Sequence, residues 1–307
     1  MFTTISGRPV SHFSFGAMQF GGTADETASA AMYQACREAG INFFDAAFGY
    51  TGGASERILG KLVAAERDEV FVATKCANAG SSPEVIDAQV TESLTRLGVE
   101  TVDLLYLHRW DDSAPVETSL EALARHVAAG RVRHLGVSNF AAWQVMKAEG
   151  LARAMGIGIA FLQPMYNLVK RQAEVEILPM AVSEGFAVCP YSPLGGGLLT
   201  GKYAAGVTGR LTTDSMYGAR YAPEWMRQAA AELAGLAGEM HVDPATLAVA
   251  WAARHPGVWG PIVSARNVEQ LRPSLAAIRF AMDDALYARI SALSPAPPPA
   301  TDRLEEA

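Results

Sequence analysis

Apolar runs of strand length alternate with amphipathic stretches of helix length along the whole chain, and few folds accept that rhythm. Phe13–Gly16 precedes a helix predicted over Glu26–Ala39, with Gly40 as its stop. The run starting at Ile41 leads to a helix over Ser55–Ala65, which Ser55 is expected to cap. Val70–Thr74 leads to Pro83–Leu97, where proline suits the first turn and Gly98 ends the helix. Val102–Leu107 leads to Val116–Ala129, ended by Gly130. Val132–Val137 precedes Ala141–Glu149, and Ile159–Gln163 precedes Glu174–Ser183. Phe186–Pro190 is followed by a long glycine-rich loop and a helix over Glu224–Met240. A further helix, Pro244–Arg254, precedes the last strand, Trp259–Val263, and Asn267–Ala277 completes the eighth unit. Eight such units without a second composition regime predict one closed parallel barrel of the α/β class, a (β/α)8 TIM barrel over residues 1–294. An open doubly wound sheet is the alternative. Against it, no Gly-x-Gly-x-x-Gly turn follows the first strand, and polar residues gather after many strands rather than at one switch point. The proline-rich tail, 295–307, is predicted to run extended over the surface.

Three of the predicted strands end in residues that a core does not favour. Asp45 and Tyr50 close the run at Ile41, Lys75 follows Val70–Thr74, and His108 follows Val102–Leu107. Parallel strands would bring these ends to one face. There a lysine depresses the pKa of a tyrosine, a carboxylate holds the lysine, and a histidine polarises a substrate oxygen. A free tyrosine titrates near pH ~10, so Lys75 is expected to draw Tyr50 towards the working pH. Taken singly, Tyr50 reads as a solvated loop residue and His108 as a structural histidine; their shared placement argues for proton transfer. His126 and His255 lie in or beside helix patterns and His134 early in a strand, so no pair has metal-ligand spacing and no metal is expected.

The stretch Asn42-Phe43-Phe44-Asp45-Ala46-Ala47-Phe48-Gly49-Tyr50, with Ser55-Glu56 and Leu59-Gly60 after it, resembles the first signature of the aldo-keto reductases. Thr74-Lys75, Leu107-His108-Arg109, Gly136-Val137-Ser138-Asn139-Phe140, Gln163 and Tyr191-Ser192-Pro193-Leu194 follow in the family's order, so the similarity runs from Phe15 to Leu275. The resemblance implies an oxidoreductase that interconverts a carbonyl and an alcohol by hydride transfer, with Tyr50 as general acid/base and NADP(H) expected ahead of NAD(H). It assigns Gly16, Ala17, Met18 and Asp45 to cofactor contacts at the first strands, and Ser138, Asn139 and Gln163 to the nicotinamide carboxamide. Tyr191 becomes the platform for the ring. Ser192, Pro193, Leu194 and Gly196, within a stretch whose glycines let backbone approach closely, are assigned to the pyrophosphate, with Lys202 adding charge. On composition alone that glycine stretch reads equally as a surface loop. Ser264, Arg266, Gln270 and Ser274 fall at the adenosine end, where Arg266 suits a 2′-phosphate. Pro273 and Ser274 depart from the acid and asparagine of many relatives, which puts the adenine grip in question. Phe20, Phe48, Trp110 and His108 are expected to wall the substrate pocket, with Tyr217, Tyr221 and Trp225 beyond the glycine loop and Trp143 packed in the core. The segment Gln163–Tyr203 is also similar to the potassium-channel β-subunit branch, which implies a cofactor-binding regulatory protein as the rival reading.

Composition narrows the partners. Half of the 307 residues are hydrophobic and the formal net charge is −7, with no basic run longer than two residues, which argues against nucleic acid and anionic membranes. No apolar stretch approaches the roughly 20 residues of a membrane span and no leader pattern opens the chain, so a cytoplasmic enzyme acting on a small molecule is expected. No sequence feature sets an oligomeric state. Cys36, Cys76 and Cys189 lack paired spacing and read as core residues, with Cys76 beside Lys75 the one that invites a reactive-thiol reading.

Overall fold

The structure, a computed structural model, describes residues 1–204, 206–301, 303 and 305. Its strands are short: β1 (Ser14–Gly16), β2 (Phe43–Asp45), β3 (Phe71–Cys76), β4 (Val102–Leu107), β5 (Val132–Ser138), β6 (Ile159–Gln163), β7 (Ala187–Val188) and β8 (Ile262–Val263). Each pairs in parallel with its sequence neighbour up to β7, and β8 pairs with β1. The remaining gap closes through Trp259 N–H to Val188 O (2.8 Å) and Ile262 N–H to Pro190 O (2.9 Å). The result is the closed parallel barrel predicted from the repeat.

The helix layer follows the predicted order. α1 (Glu26–Glu38), α2 (Ala54–Val63), α3 (Pro83–Leu97), α4 (Val116–Ala128), α5 (Ala142–Ala154) and α6 (Ile177–Glu184) each follow one of the first six strands. α7 (Arg210–Thr213), α8 (Ser215–Arg220), α9 (Glu224–Glu239) and α10 (Pro244–Arg254) fill the long seventh crossover, and α11 (Val268–Ala276) follows β8. Four boundaries depart from expectation. Ser55 does not cap α2: the helix starts from Gly53, at φ 86°, and the buried Ser55 hydroxyl donates instead to Ala17 O (2.8 Å). α5 runs past Gly150, where an isolated glycine costs a helix only about 1 kcal/mol. α6 begins at Ile177, after a tight turn at Gln172–Glu174. A twelfth helix, α12 (Asp284–Ser291), follows the eighth unit, capped by Asp283, whose carboxylate accepts from Leu286 N–H (2.7 Å). Residues 295–301 carry no helix or strand. No described helix is long and apolar enough to cross a membrane.

Side chains alternate along each strand, and this parity builds two cores. Phe43, Phe71, Ala73, Leu104, Tyr106, Phe161, Ala187, Cys189 and Ile262 point into the barrel, whereas Phe15, Phe44, Val72, Leu105, Val137, Leu162, Val188 and Val263 pack under the helices. Phe2 and Trp259 join the interior aromatics from outside the strands, Phe2 at 4.3 Å from the Phe161 ring. The interior is filled to the point where one residue must lack a side chain. A Cβ on Gly136 would sit 2.6 Å from the Tyr106 ring and 2.8 Å from Phe161 O. Gly136→Ala should therefore destabilise by the roughly 1–3 kcal/mol of an overpacked core, read as a lowered urea midpoint. An unmoved midpoint would show that the Tyr106 ring has room to yield.

Candidate active site

Parity also selects the site. Continuing each strand's inward alternation to its C-terminal end reaches Gly16 on β1, Asp45 on β2, Lys75 on β3, Ser138 on β5 and Gln163 on β6. The register sets Asp45 beside Gly16 and Ala73, and Lys75 beside Tyr106, so these ends share one mouth of the barrel. His108 follows β4 directly, its N–H bound to Cys76 O (2.9 Å).

Asp45 and Lys75 are almost wholly buried and form an ion pair through Asp45 Oδ1. Lys75 Nζ also donates to Ala46 O (2.7 Å), and Asp45 Oδ2 accepts from Gln163 Nε2 (3.0 Å). The Tyr50 ring centroid lies 5.0 Å from Lys75 Nζ, and the His108 ring stands edge-on to it at 5.9 Å. Burial works against the charge on Lys75, but Asp45 and Tyr50 hold its pKa above the usual lysine value. His108 is pushed down to about 3, by burial first and then by Lys75 and Arg109. It is a neutral imidazole, and its Nδ1 is buried without a hydrogen-bond partner. Tyr50 departs from the sequence expectation. Lys75 does pull its hydroxyl down, yet burial outweighs that pull and the net shift is upward, with Asp45 adding to the rise.

A polar shelf stands opposite. Ser138 Oγ donates to Gln163 O (3.0 Å), Asn139 Nδ2 donates to His108 O (2.9 Å), and Tyr191 Oη donates to Asn139 Oδ1 (2.7 Å). Asn139 (φ 58°) and Ser192 (φ 58°) both adopt the left-handed conformation. The buried Asn167 supports the second of these by donating to Ser192 O (2.9 Å).

From this mouth a cleft of about 1060 Å³ runs over the ends of β5 to β8 to α11. Gly196 and Gly197 turn at φ 66° and 93° along one wall, directly after Gly195 at φ 56°. Lys202, Arg210, Arg220 and Arg266 line it, and none forms a salt bridge among the described residues. The Lys202 pKa is lowered by burial and by the like charges of Arg266 and Arg210. At the far end Ser264 Oγ donates to Gly16 O (2.8 Å), Asn267 caps α11 by accepting from Gln270 N–H (2.9 Å), and Ser274 Oγ is buried without a partner. The donor set therefore fits a long, phosphorylated dinucleotide: a ring face and amide-binding shelf at one end, concentrated cations in the middle, and a helix N-terminus with a free hydroxyl at the other.

Of the residues singled out in the sequence, Gly16, Met18, Asp45, Tyr50, His108, Ser138, Asn139, Gln163, Tyr191, Ser192, Pro193, Leu194, Gly196, Lys202, Ser264, Arg266, Gln270 and Ser274 line the cleft. Lys75 lies behind Tyr50, and Ala17 is buried, with its carbonyl taken by Ser55. The expected substrate wall is largely elsewhere. Phe20 is fully buried against Phe15, and Phe48 stacks under the Arg96 guanidinium (4.4 Å). Trp110 packs edge-on against Phe140 (5.3 Å), outside the cleft lining. Tyr217 lines the cleft, whereas Tyr221 is buried and Trp225 is exposed. Trp143 is not core: 61% of it is exposed, edge-on to Trp110. Cys36, Cys76 and Cys189 are all buried, and burial pushes the Cys76 thiol up to about 12, so the unreactive reading holds. No group of His, Cys, Asp or Glu suited to a metal occurs among the described residues. Sequence reasoning missed Arg210 and Arg220, which sit in a stretch without periodicity, and Asn167, whose signal was a lone amide beside Leu168 and Val169.

A profile of the Aldo/keto reductase family matches residues 12–295. The uncharacterized oxidoreductase YrpG of Bacillus subtilis is 32% identical over 95% of this chain and 94% of its own length. A probable voltage-gated potassium channel subunit beta of Oryza sativa is 33% identical over 89% of each chain. The aflatoxin B1 aldehyde reductase member 4 of Homo sapiens is 42% identical over 61% of this chain and 59% of its own. With the barrel and the cleft described above, the chain belongs to the aldo/keto reductase family of oxidoreductases.

Proposed function

We propose that this chain interconverts a carbonyl and an alcohol on a small molecule, aldehyde, ketone or sugar, with NADP(H) as cofactor and Tyr50 as the general acid/base. The observation that carries the reading is the buried Asp45–Lys75 pair beneath the Tyr50 ring, with neutral His108 across from it. Bound in the cleft, the nicotinamide would supply or accept the hydride. Lys202, Arg210 and Arg266 would hold its phosphates, Ser138, Asn139 and Gln163 its amide, and Tyr191 its ring. His108, uncharged, orients the substrate oxygen by hydrogen bonding and leaves proton delivery to Tyr50. Lys75 stabilises the phenolate left behind, and Asp45 fixes Lys75 in place. The unpartnered Ser274 hydroxyl supports a compensating contact where the adenine grip of other members is missing. A cytoplasmic location agrees with the small-molecule role proposed here. Partner binding, in the manner named for the plant relative, is the second reading. Reduction of simple aldehydes with consumption of reduced cofactor separates the two, since a purely regulatory chain shows none.

Tyr50→Phe removes the transferable proton and keeps the ring, so carbonyl reduction should fall by about 10²–10⁴-fold while cofactor still binds. Near-parent turnover with chemistry rate-limiting would overturn the assignment. Lys75→Met removes the one downward pull on a tyrosine that burial already raises. The limb of the oxidation-direction pH profile that rises as phenolate forms should therefore move to higher pH. The variant also leaves Asp45 buried and unpaired, at a stability cost of about 3–5 kcal/mol, so its profile belongs below its own lowered melting temperature. A limb that stays in place in folded protein removes Lys75 from the mechanism. Arg266→Ala should weaken NADPH binding by about 1.5–3 kcal/mol and leave NADH binding unchanged. Calorimetric titration with both cofactors reads the ratio, and equal parent affinities would remove the proposed preference.

A further inference from the structure

The loop that carries Tyr50 holds an unfavourable backbone shape. Thr51, Gly52 and Gly53 take φ of 48°, 60° and 86° in succession, and threonine enters that region only when held there. Thr51 Oγ1 donates to Phe20 O (2.8 Å), and Phe48 N–H donates to Lys75 O (3.0 Å). Ser55 N–H donates to Thr51 Oγ1 (3.0 Å) and Arg57 Nη2 to Gly52 O (3.3 Å), both from α2. A further hold comes from Arg96, near the end of α3. Arg96 Nη1 donates to Phe48 O (3.0 Å) and to Glu56 Oε2 (3.3 Å), and Nε donates to Glu92 Oε1 (2.9 Å). The guanidinium lies so close to Gly53 that a Cβ there would meet it at 2.6 Å.

Glu56 is fully buried on α2 and carries the contact on to β3. Its Oε1 accepts from Thr74 Oγ1 (2.6 Å). Thr74 has the outward parity of its strand, so its side chain meets the helix layer while its neighbour Lys75 points into the barrel. Glu56 and Arg96 thus join the Tyr50 loop to the strand that aims Lys75, and neither residue lines the cleft.

We propose that Arg96 and Glu56 form a positioning clamp that sets the Tyr50 hydroxyl relative to Lys75 for proton transfer. The inference rests on Tyr50 being the proton donor proposed above. A buried acid joined to a two-way guanidinium fork costs desolvation that plain packing of α2 on α3 would avoid. Small displacements at a proton-transfer site are expensive, whereas displacements in the helix layer alone are not.

Arg96→Met keeps the stem and removes the fork. With the clamp in force, kcat should drop on the order of 10²-fold, the substrate KM and the cofactor Kd should hold, and the limb of the oxidation profile that rises as phenolate forms should move to higher pH as Lys75 loses its aim. The groups facing Tyr50 (Lys75, Asp45, His108, Tyr191 and Tyr217) are the same in parent and variant. A folded Arg96→Met with parent kcat, or with a lowered kcat and an unmoved limb, overturns the clamp. If Arg96→Met does not fold, Glu56→Gln separates the same two outcomes, because it keeps an acceptor for Thr74 and removes the charge facing Arg96. A parent chain that reduces no carbonyl overturns the proposed activity instead. The clamp is then tested through the Tyr50 ring resonance of isotope-labelled protein, assigned with Tyr50→Phe. That resonance moves in the clamp variant if Arg96 sets the ring, and its staying put overturns the inference.

Discussion

A lysine and a carboxylate sealed inside a barrel are the constraint around which the rest of this molecule is arranged. Taking two such ions out of water costs several kcal/mol each, and their attraction offsets it only when every remaining contact is good. Here the contacts are supplied by neighbouring strand ends: Asp45 from β2, Lys75 from β3, the Ala46 carbonyl one residue beyond Asp45, and the Gln163 amide from β6 across the mouth. An apolar pair of equal volume would fill the same space without that cost. The pair therefore makes more sense as machinery than as glue. It keeps one positive charge fixed below the Tyr50 ring in a place that water does not reach.

The barrel makes the arrangement possible because parity and register act together. A strand shifted by one residue would turn Lys75 towards the helices and Thr74 towards the cleft. The packed interior resists such a slip: Tyr106 fills the space that Gly136 leaves, and Phe43, Phe71 and Phe161 form an aromatic floor beside it. The same inward row that packs the core below presents polar groups above. Fold and site are two ends of one pattern, and substitutions in the floor are expected to be felt at the mouth.

Much of this was legible in the residues. Glycine and proline punctuation marked most helices, and the polar strand ends identified the mouth, because both depend on local chemistry. Other features depended on non-local contacts. Ser55 looks like a cap, but the turn before it brings Gly53 to the helix start and sends the hydroxyl to Ala17. Phe20 and Trp143 are both aromatic residues near the mouth in sequence, yet one is sealed in the core and the other stands in solvent. Residue type does not separate those fates: Phe20 ends a turn that enters the core, whereas Trp143 sits on the solvent side of α5. The balance at Tyr50 escapes the sequence for a related reason, since the charge of Lys75 is readable there and the depth of burial that opposes it is not.

The distribution of charge adds a further consequence. The chain as a whole carries −7, yet Lys202, Arg210, Arg220 and Arg266 stand along one cleft without a salt-bridge partner among the described residues. Like charges at such close quarters repel: burial lowers the Lys202 pKa first, and Arg266 and Arg210 lower it further, so the unpaired cations are a standing cost that an anion removes. A cleft lined by more cations than carboxylates, the latter being Asp45, Asp243 and Glu269, draws a polyanion to that track rather than to a surface of opposite net charge. With the cofactor proposed above, affinity would sit at its phosphates, away from the strand ends. The Tyr50 mouth would then be left to discriminate between ground and transition states, where binding energy affects rate. That separation of grip from chemistry would follow from the ion pair buried beneath Tyr50 and the cations left without salt bridges along the cleft.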